Sequence, residues 1–289
     1  MKIKILIPIY NDWQSAFTLL KNINSEIANL EHDFSVIMIN DASTESPPEF
    51  KINLDKINSI KLITMKENRG HARCNAAGLK YIFEKEEFDY IIPMDGDGED
   101  RPEEIKNFID NLSYASDKPI VGERIKRSEG IFFKFCYFVH KIITFTFTGQ
   151  SIKYGNYTCL PKSTVKKMIN EKASWSSFSG SLAKVEKNKS SIPSERGSRY
   201  FGPSKMSFKN LMIHSLSIIS VFKKNVLIRS ILFLLVYTLL IHQNITAIML
   251  IPFILILALI TSVLAISKRE NLEELNNSLL NILNINDLK

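Results

Sequence analysis

The opening part of this chain alternates short apolar runs with segments of helical period, and every run ends in a polar loop. The runs are Lys2–Ile9, Phe34–Ile39, Ile60–Met65 and Asp89–Met94, with Pro119–Gly122 as a shorter fifth. Between them, Trp13–Leu30 repeats Phe17, Leu20, Ile23 and Ile27 at helical spacing, and Ala72–Phe83 and Pro102–Leu112 continue the alternation. Apolar runs of this length read as buried strands. Strands alternating with helices fold as an α/β domain with a mostly parallel sheet and right-handed crossovers. Ligands of such a sheet bind beyond the carboxyl ends of its strands. Asn11, Asp41, Asn68, Asp95 and Asp97 all fall at that edge.

The fourth run leads into Met94-Asp95-Gly96-Asp97-Gly98-Glu99-Asp100. Side chains at i and i+2 of an extended segment point the same way. Asp95 and Asp97 can therefore offer oxygens to one hard divalent cation, Mg²⁺ or Mn²⁺, with Glu99 joining them if the extension continues. Taken alone, the same residues also suit an acidic turn, with Gly96 and Gly98 turning the chain and Asp100-Arg101-Pro102 opening a helix.

The formal charge of +7 is compatible with nucleic acid, an anionic membrane surface or phosphorylated substrates. The C-terminal third separates these. Val226–His242 and Ile245–Ile266 would span about 25 and 33 Å as helices, and Ile245–Ile266 carries no charged residue. A buried hairpin in a soluble core is the competing reading. Arg229, near the start of the first run, can snorkel. Lys223 and Lys224 precede the pair and Lys268 and Arg269 follow it, so both ends are expected on the cytoplasmic side, with Gln243-Asn244 as a tight outer turn. Membrane attachment accounts for the basic charge without nucleic acid. Ile131–Gly149 and Met206–Phe222 are amphipathic, and Lys134 and Lys141 make the first a surface-lying helix rather than a third span. Both also suit ordinary core packing. Asn271–Leu283 carries apolar residues at a/d spacing over less than two heptads, too few for a coiled coil. Cys74, Cys136 and Cys159 are scattered and odd in number, which argues against zinc and a disulfide framework and for a reducing compartment. Ile5–Ile9 is too short for the core of a signal peptide.

Pro8-Ile9-Tyr10-Asn11, Ile39-Asn40-Asp41-Ala42-Ser43-Thr44, Asn68-Arg69-Gly70-His71-Ala72-Arg73 and Met94 to Glu103 follow one another in a pattern that resembles family 2 glycosyltransferases. The resemblance implies the GT-A fold, a Rossmann-like nucleotide-sugar-binding architecture. Arg199-Tyr200-Phe201-Gly202-Pro203-Ser204-Lys205, Gly122-Glu123-Arg124 and the final hydrophobic pair are similar to the membrane-anchored branch. That branch includes dolichyl-phosphate mannosyltransferases and bacterial polyprenyl-phosphate glycosyltransferases of cell-envelope glycan synthesis. By this resemblance Asp41 hydrogen-bonds the base, uracil or guanine, and Pro8, Tyr10 and Asn11 line its pocket. Asn68 and Gly70 let the chain pass close to the nucleotide, since Gly70 has no side chain to obstruct it. Arg73 reaches a phosphate or lies on a solvated helix face. Asp95 and Asp97 bridge the metal to the diphosphate. Arg199 and Lys205 act at the acceptor phosphate and donor diphosphate, with Ser204 adding a hydroxyl. Arg196 can assist them, and Arg124 and Arg127 are further acceptor-phosphate candidates. A basic loop against anionic headgroups is the other use of the Arg199 segment. Relatives often carry Gln where Glu99 stands and an acidic residue near Asn156.

The resulting organisation is a cytoplasmic catalytic domain over 1–205, an interfacial segment over 206–225, two spans within 226–266 and a cytoplasmic tail over 267–289. The expected activity is inverting, metal-dependent transfer of one sugar from a UDP- or GDP-linked donor to a polyprenyl phosphate. An anionic acceptor needs no general base, which suits the neutral Asn156. Transfer to a lipid-linked saccharide or glycan hydroxyl is the nearest alternative, and a non-catalytic membrane scaffold is the alternative of another class. Self-association stays open.

Overall fold

The computed structural model describes residues 1–115, 117–126, 131–203, 207–243 and 245–289. Strands β1 (Lys2–Ile9), β2 (Asp33–Asn40) and β3 (Ser59–Met65) lie parallel and in register, and β4 (Tyr90–Pro93) joins β1 on its other side. Helices α1 (Trp13–Glu26) and α2 (His71–Lys85) are the crossovers. β1 and β2 are buried along nearly their whole length because helices cover both faces of the sheet. α1 packs Leu19, Leu20 and Ile23 into one core and α2 packs Leu79 and Ile82 into the other.

The strands beyond β4 make the sheet mixed. The expected fifth strand, β5 (Ile120–Lys126), follows the short helices α3 (Ile105–Asp110) and α4 (Leu112–Ala115). It does not lie beside β4. After α5 (Ile131–Thr148), β6 (Thr158–Pro161) inserts antiparallel between β4 and β5. Helices α6 (Lys162–Ile169) and α7 (Phe178–Val185) lead to β7 (Ser190–Glu195), parallel to β5 at one edge. Three helices follow: α8 (Phe208–Ser220), α9 (Lys223–Ile241) and α10 (Ile251–Ser267). The short α11 (Leu272–Asn276) precedes β8 (Ile282–Asp287), which pairs antiparallel with β3 at the opposite edge. The last residues are therefore no free tail, and their a/d spacing is not used by one helix. Leu275 is buried with Ala76 and Trp175, and Leu279 and Ile282 pack on the core beside α2.

The chain divides into two compact units. One comprises Met1–Ser128, Lys153–Lys205 and Asn271–Lys289, and the other Glu129–Ile152 and Met206–Glu270. The second unit is helical. Two of its stretches, beginning at Lys223 and Ala247, are long and apolar enough to cross a membrane. Leu239, Leu240 and Ile248 are more than 70% exposed there, so the apolar surface points outward rather than into a soluble core. Phe138, Ile142 and Phe145 form an exposed apolar face on α5, while Phe147 packs with Ile219, Val226, Ile256 and Val263. The Arg229 guanidinium donates to the carbonyls of Phe145 and Thr146, and Asn225 donates to that of Thr148. The carbonyls of Thr146 and Thr148 lie in the last turn of α5, where helical N–H partners run out, whereas that of Phe145 also accepts from the Gly149 N–H. Asn244, expected in the outer turn, is outside the described residues.

Candidate active site

The carboxyl ends of β1 to β4 bring four loops to one edge of the first unit, as the polar ends of the apolar runs require. The loop after β1 is tied to the loop after β2 through Asn11. Its side-chain oxygen accepts from the Thr44 and Glu45 amides, and its amide donates to Thr44 Oγ1 at 2.9 Å. Asn11 thus shapes the loops with its side chain. Pro8 is buried inside β1, under the turn that carries Gly96, whereas Tyr10 is exposed at the edge.

Asp41 closes the loop after β3. Its two carboxylate oxygens accept from the backbone N–H groups of Arg69 and Gly70 at 3.0 and 2.8 Å. The Asn68 amide donates to the Asp41 carbonyl at 3.0 Å. Burial raises the Asp41 carboxyl above its ordinary range, against the pull of those two N–H donors. Gly70 is needed for a different reason from the one its motif suggests. A Cβ there would meet nothing within 4 Å, but φ is +89°, a backbone region that side-chain-bearing residues avoid. Arg73 lies neither on a free helix face nor in the acidic turn. Its guanidinium carbon sits 5.6 Å from the centre of the Trp175 ring, a cation–π contact.

The acidic turn carries the strongest electrostatics. β4 ends at Pro93, and Asp95 to Asp100 form a turn rather than a continued extension. Asp95 Oδ1 lies 2.9 Å from His71 Nε2 and accepts from the Asn156 amide at 3.2 Å. The Asp95 N–H donates to the buried Asp100 carboxylate at 2.9 Å. Asp97 accepts from the Glu99 N–H with one oxygen and from Arg199 Nη1 with the other, at 2.5 Å. Arg199 Nη2 also donates to Asp12 at 2.6 Å, so one guanidinium bridges two acids. Burial opposes charge on Asp95, yet His71, Arg124 and Arg196 hold its carboxyl well below the usual range. Burial and the Asp95 charge push Asp97 up to about 6, against Arg199. The same two causes push Asp100 up to about 8.

Glu99 does not join the pair. Gly98 has φ +87°, which ends any alternation of side chains, and the Glu99 carboxylate is held by Arg196 instead. Among the described residues, no three His, Cys, Asp or Glu side chains converge to hold a metal. Two hard oxygen donors, Asp95 and Asp97, remain in mutually repelling positions, a donor set suited to a divalent cation completed by phosphate oxygens.

The segment 196–202 closes over this turn. Gly197 N–H donates to the Glu99 carbonyl and Tyr200 N–H to that of Asp97, at 2.8 and 2.9 Å. Tyr200 also accepts from Asn22 on α1 and lies against Gly98. A Cβ on Gly98 would come within 2.5 Å of the Tyr200 ring. Gly98→Ala is therefore expected to cost about 1–3 kcal/mol from clash and backbone strain together. The check is a lowered thermal midpoint in the purified protein. Ser204 and Lys205 lie outside the described residues, as does Arg127. Arg124 packs against Gly155, and its charge bears on Asp95 and Asp100.

His71, Asp12 and Asp100 carry interactions that their sequence positions did not assign. His71 stood inside a matched motif, and Asp100 inside the turn, so both were adjacent to the signal. Asp12 had none, because its partner Arg199 comes from a return of the chain 187 residues later.

The family model described as Glycosyl transferase family 2 matches residues 4–169. An undecaprenyl-phosphate 4-deoxy-4-formamido-L-arabinose transferase of Salmonella choleraesuis is 25% identical over 218 residues, covering 73% of this chain and 64% of the relative. The chain thus spans under two thirds of the length of that curated relative. Among solved structures, glucosyl-3-phosphoglycerate synthase from Mycobacterium tuberculosis, in complex with Mn²⁺, UDP and phosphoglyceric acid, superposes with a TM-score of 0.54 at 9% identity, covering 78% of each chain. The mannosyltransferase PcManGT from Pyrobaculum calidifontis, in complex with GDP-Man and Mn²⁺, gives 0.50 at 13% identity, covering 92% of this chain and 73% of that one.

Proposed function

The chain belongs to glycosyl transferase family 2, and from that premise we propose that it moves a single sugar, with inversion, from a nucleotide diphosphate sugar to a polyprenyl phosphate. The observation that carries this reading is the meeting of Asp95, Asp97 and Arg199 at the carboxyl edge of the sheet, beside the loop that Asp41 closes. Asp41 retains lone pairs for a base N–H, which both uracil and guanine offer. Pro8, Tyr10, Asn11, Asn68 and Gly70 belong to the loops that would surround the base. Asp95 and Asp97 would hold Mg²⁺ or Mn²⁺, which when bound supplies Lewis-acid stabilisation of the diphosphate. Glu99 is assigned to Arg196 rather than to the ion.

Transfer joins the acceptor oxygen to the anomeric carbon on the face opposite the leaving nucleotide, and the bond to the diphosphate breaks. Arg199 offers a planar fork to the oxygens that gain charge. Ser204, Lys205 and Arg124 are proposed to share the phosphates with it. A phosphate acceptor arrives already anionic. The Asn156 amide, spent on Asp95, supports this chemistry over a hydroxyl acceptor, which needs a base within reach. The relative named for undecaprenyl phosphate and the two outward-facing apolar helices support a membrane lipid as the carrier of that phosphate. The catalytic part is proposed to be 1–205 completed by 271–289, facing the cytoplasm, with α5 and α8 at the interface.

The test is a screen of radiolabelled UDP- and GDP-sugars with undecaprenyl phosphate in membranes that contain the chain. Label is expected to enter the organic phase and to be released by mild acid, as a polyprenyl monophosphate sugar requires. An acid-stable product would instead support a hydroxyl acceptor. Excess chelator is expected to abolish transfer and added Mn²⁺ or Mg²⁺ to restore it, and full activity in chelator would remove the metal role.

A further inference from the structure

The loop from Asn68 to Arg73, which the reading above assigns to the donor, is held from behind by the last residues of the chain. Lys66 and Glu67 enter that loop, and both are fixed by the segment before β8. Lys66 N–H donates to the Asn281 carbonyl at 2.7 Å, Lys66 Nζ to that of Leu280 at 2.8 Å, and the Asn281 amide to that of Glu67 at 3.1 Å. Further along, Glu274 on α11 accepts from Trp175 Nε1 at 2.6 Å, and the same carboxylate oxygen lies 3.9 Å from Arg69 Nη1. Asn271 caps α11 and donates to the other Glu274 oxygen at 2.9 Å. Trp175 is buried, with the Arg73 guanidinium over its ring. A single carboxylate therefore fixes the ring beneath one arginine of the loop and faces the other.

We propose that Glu274 is a positioning residue for the donor: through Arg69, Trp175 and Arg73 it sets the loop that receives the nucleotide, so the segment following the apolar helices is part of the donor site. The packing makes this testable at one position. A cavity of about 550 Å³ lies between the loop and the C-terminal segment, with Lys66, Arg69, Trp175 and Glu274 among its walls. The C-terminal segment is also held by apolar packing, Leu275 against Trp175 and Ala76 and Leu279 and Ile282 beside α2, so loss of the Glu274 carboxylate leaves the segment docked.

The experiment uses the full chain in membranes or detergent and compares Glu274→Ala, Glu274→Gln and wild type. Glu274→Ala removes the contacts to Trp175, Arg69 and the Asn271 amide, whereas Glu274→Gln keeps one acceptor, for Trp175, and loses the charge facing Arg69. For Glu274→Ala, the KM for the nucleotide sugar and the Kd of the product nucleotide are expected to rise about tenfold, with kcat and the acceptor KM unchanged within about twofold. Glu274→Gln should recover most of that loss. A merely structural role would lower the thermal midpoint and the active fraction, leaving the donor KM of the surviving enzyme unchanged. A donor KM in Glu274→Ala within about twofold of wild type overturns the proposal. The proposal rests on the donor-loop reading, and the two fail separately. Wild-type chain that binds neither UDP nor GDP removes the reading, whereas wild type that binds while Glu274→Ala binds equally well removes only the role of Glu274.

Discussion

Asp97→Asn is expected to reduce sugar transfer by on the order of a thousandfold or more, the several kcal/mol that a bound ion contributes to a developing phosphate charge. The substitution is nearly isosteric. It leaves an oxygen to accept from the Glu99 N–H and removes the charge opposite Arg199. Asp97 is also where repulsion from Asp95 is concentrated, and a neutral amide relieves that repulsion. The variant should therefore fold at least as well as wild type while losing activity. Binding of Mn²⁺ by the isolated protein, read by calorimetry, should fall with the activity.

The same carboxylate sets a pH dependence. Burial and Asp95 raise its pKa to about 6, so protons compete with the cation below that pH. Mn²⁺ affinity should fall as pH drops through about 6 and level off above it. The stability effect has the opposite sign. A carboxyl raised above its unfolded value is a net cost to the folded state once both forms ionise, so the metal-free protein gains stability from this group as pH falls through the folded value. Metal-free protein more stable at pH 5 than at pH 7, with weaker Mn²⁺ binding, is the combined signature. Mn²⁺ affinity equal at both would remove Asp97 from the metal site.

The parts legible in the sequence share one property, that local chemistry and tertiary role coincide. β1 and β2 are apolar because both their faces are covered, so composition alone marks them. β7 is Ser-Ser-Ile-Pro-Ser-Glu, in which Ile192 and Ser194 are the buried residues, and nothing in that string announces a strand. β6 is four residues long, and β8 reads Ile-Leu-Asn-Ile-Asn-Asp, whose apolar positions also fit a helix. Each of the three is created by a neighbouring strand edge that local sequence does not encode. The site divides in the same way. Asp95 and Asp97 stood out because two carboxylates in a glycine-rich turn after a strand are unusual in themselves. Glu99 was to join them only if the extension continued, and the positive φ of Gly98 breaks that alternation, which spacing alone does not reveal. The partners of Arg229 at the end of α5 were not legible, because they are backbone carbonyls and have no sequence signature.

Arg199→Ala is expected to lower kcat by about a hundredfold to a thousandfold, the range seen when one fixed donor to a developing anion is removed. Only 15% of the Arg199 side chain is exposed, and it neutralises Asp97 and Asp12 together. Truncation leaves two largely buried acids facing one another, so the thermal midpoint should fall as well. That combination makes alanine alone ambiguous, and two further variants resolve it. Arg199→Lys restores a charge but not a fork, and an ammonium cannot serve two acids and a diphosphate in the same plane. It should recover the thermal midpoint more fully than kcat. Asp12→Asn removes one of the two partners and leaves the guanidinium paired with Asp97. If Arg199 acts on the leaving diphosphate, freeing one of its arms costs little, and kcat should stay within about tenfold of wild type. If Arg199 serves only to neutralise buried acids, the lysine variant should be nearly fully active. A near-wild-type kcat in Arg199→Lys, measured with saturating donor and acceptor, would therefore confine this residue to structure.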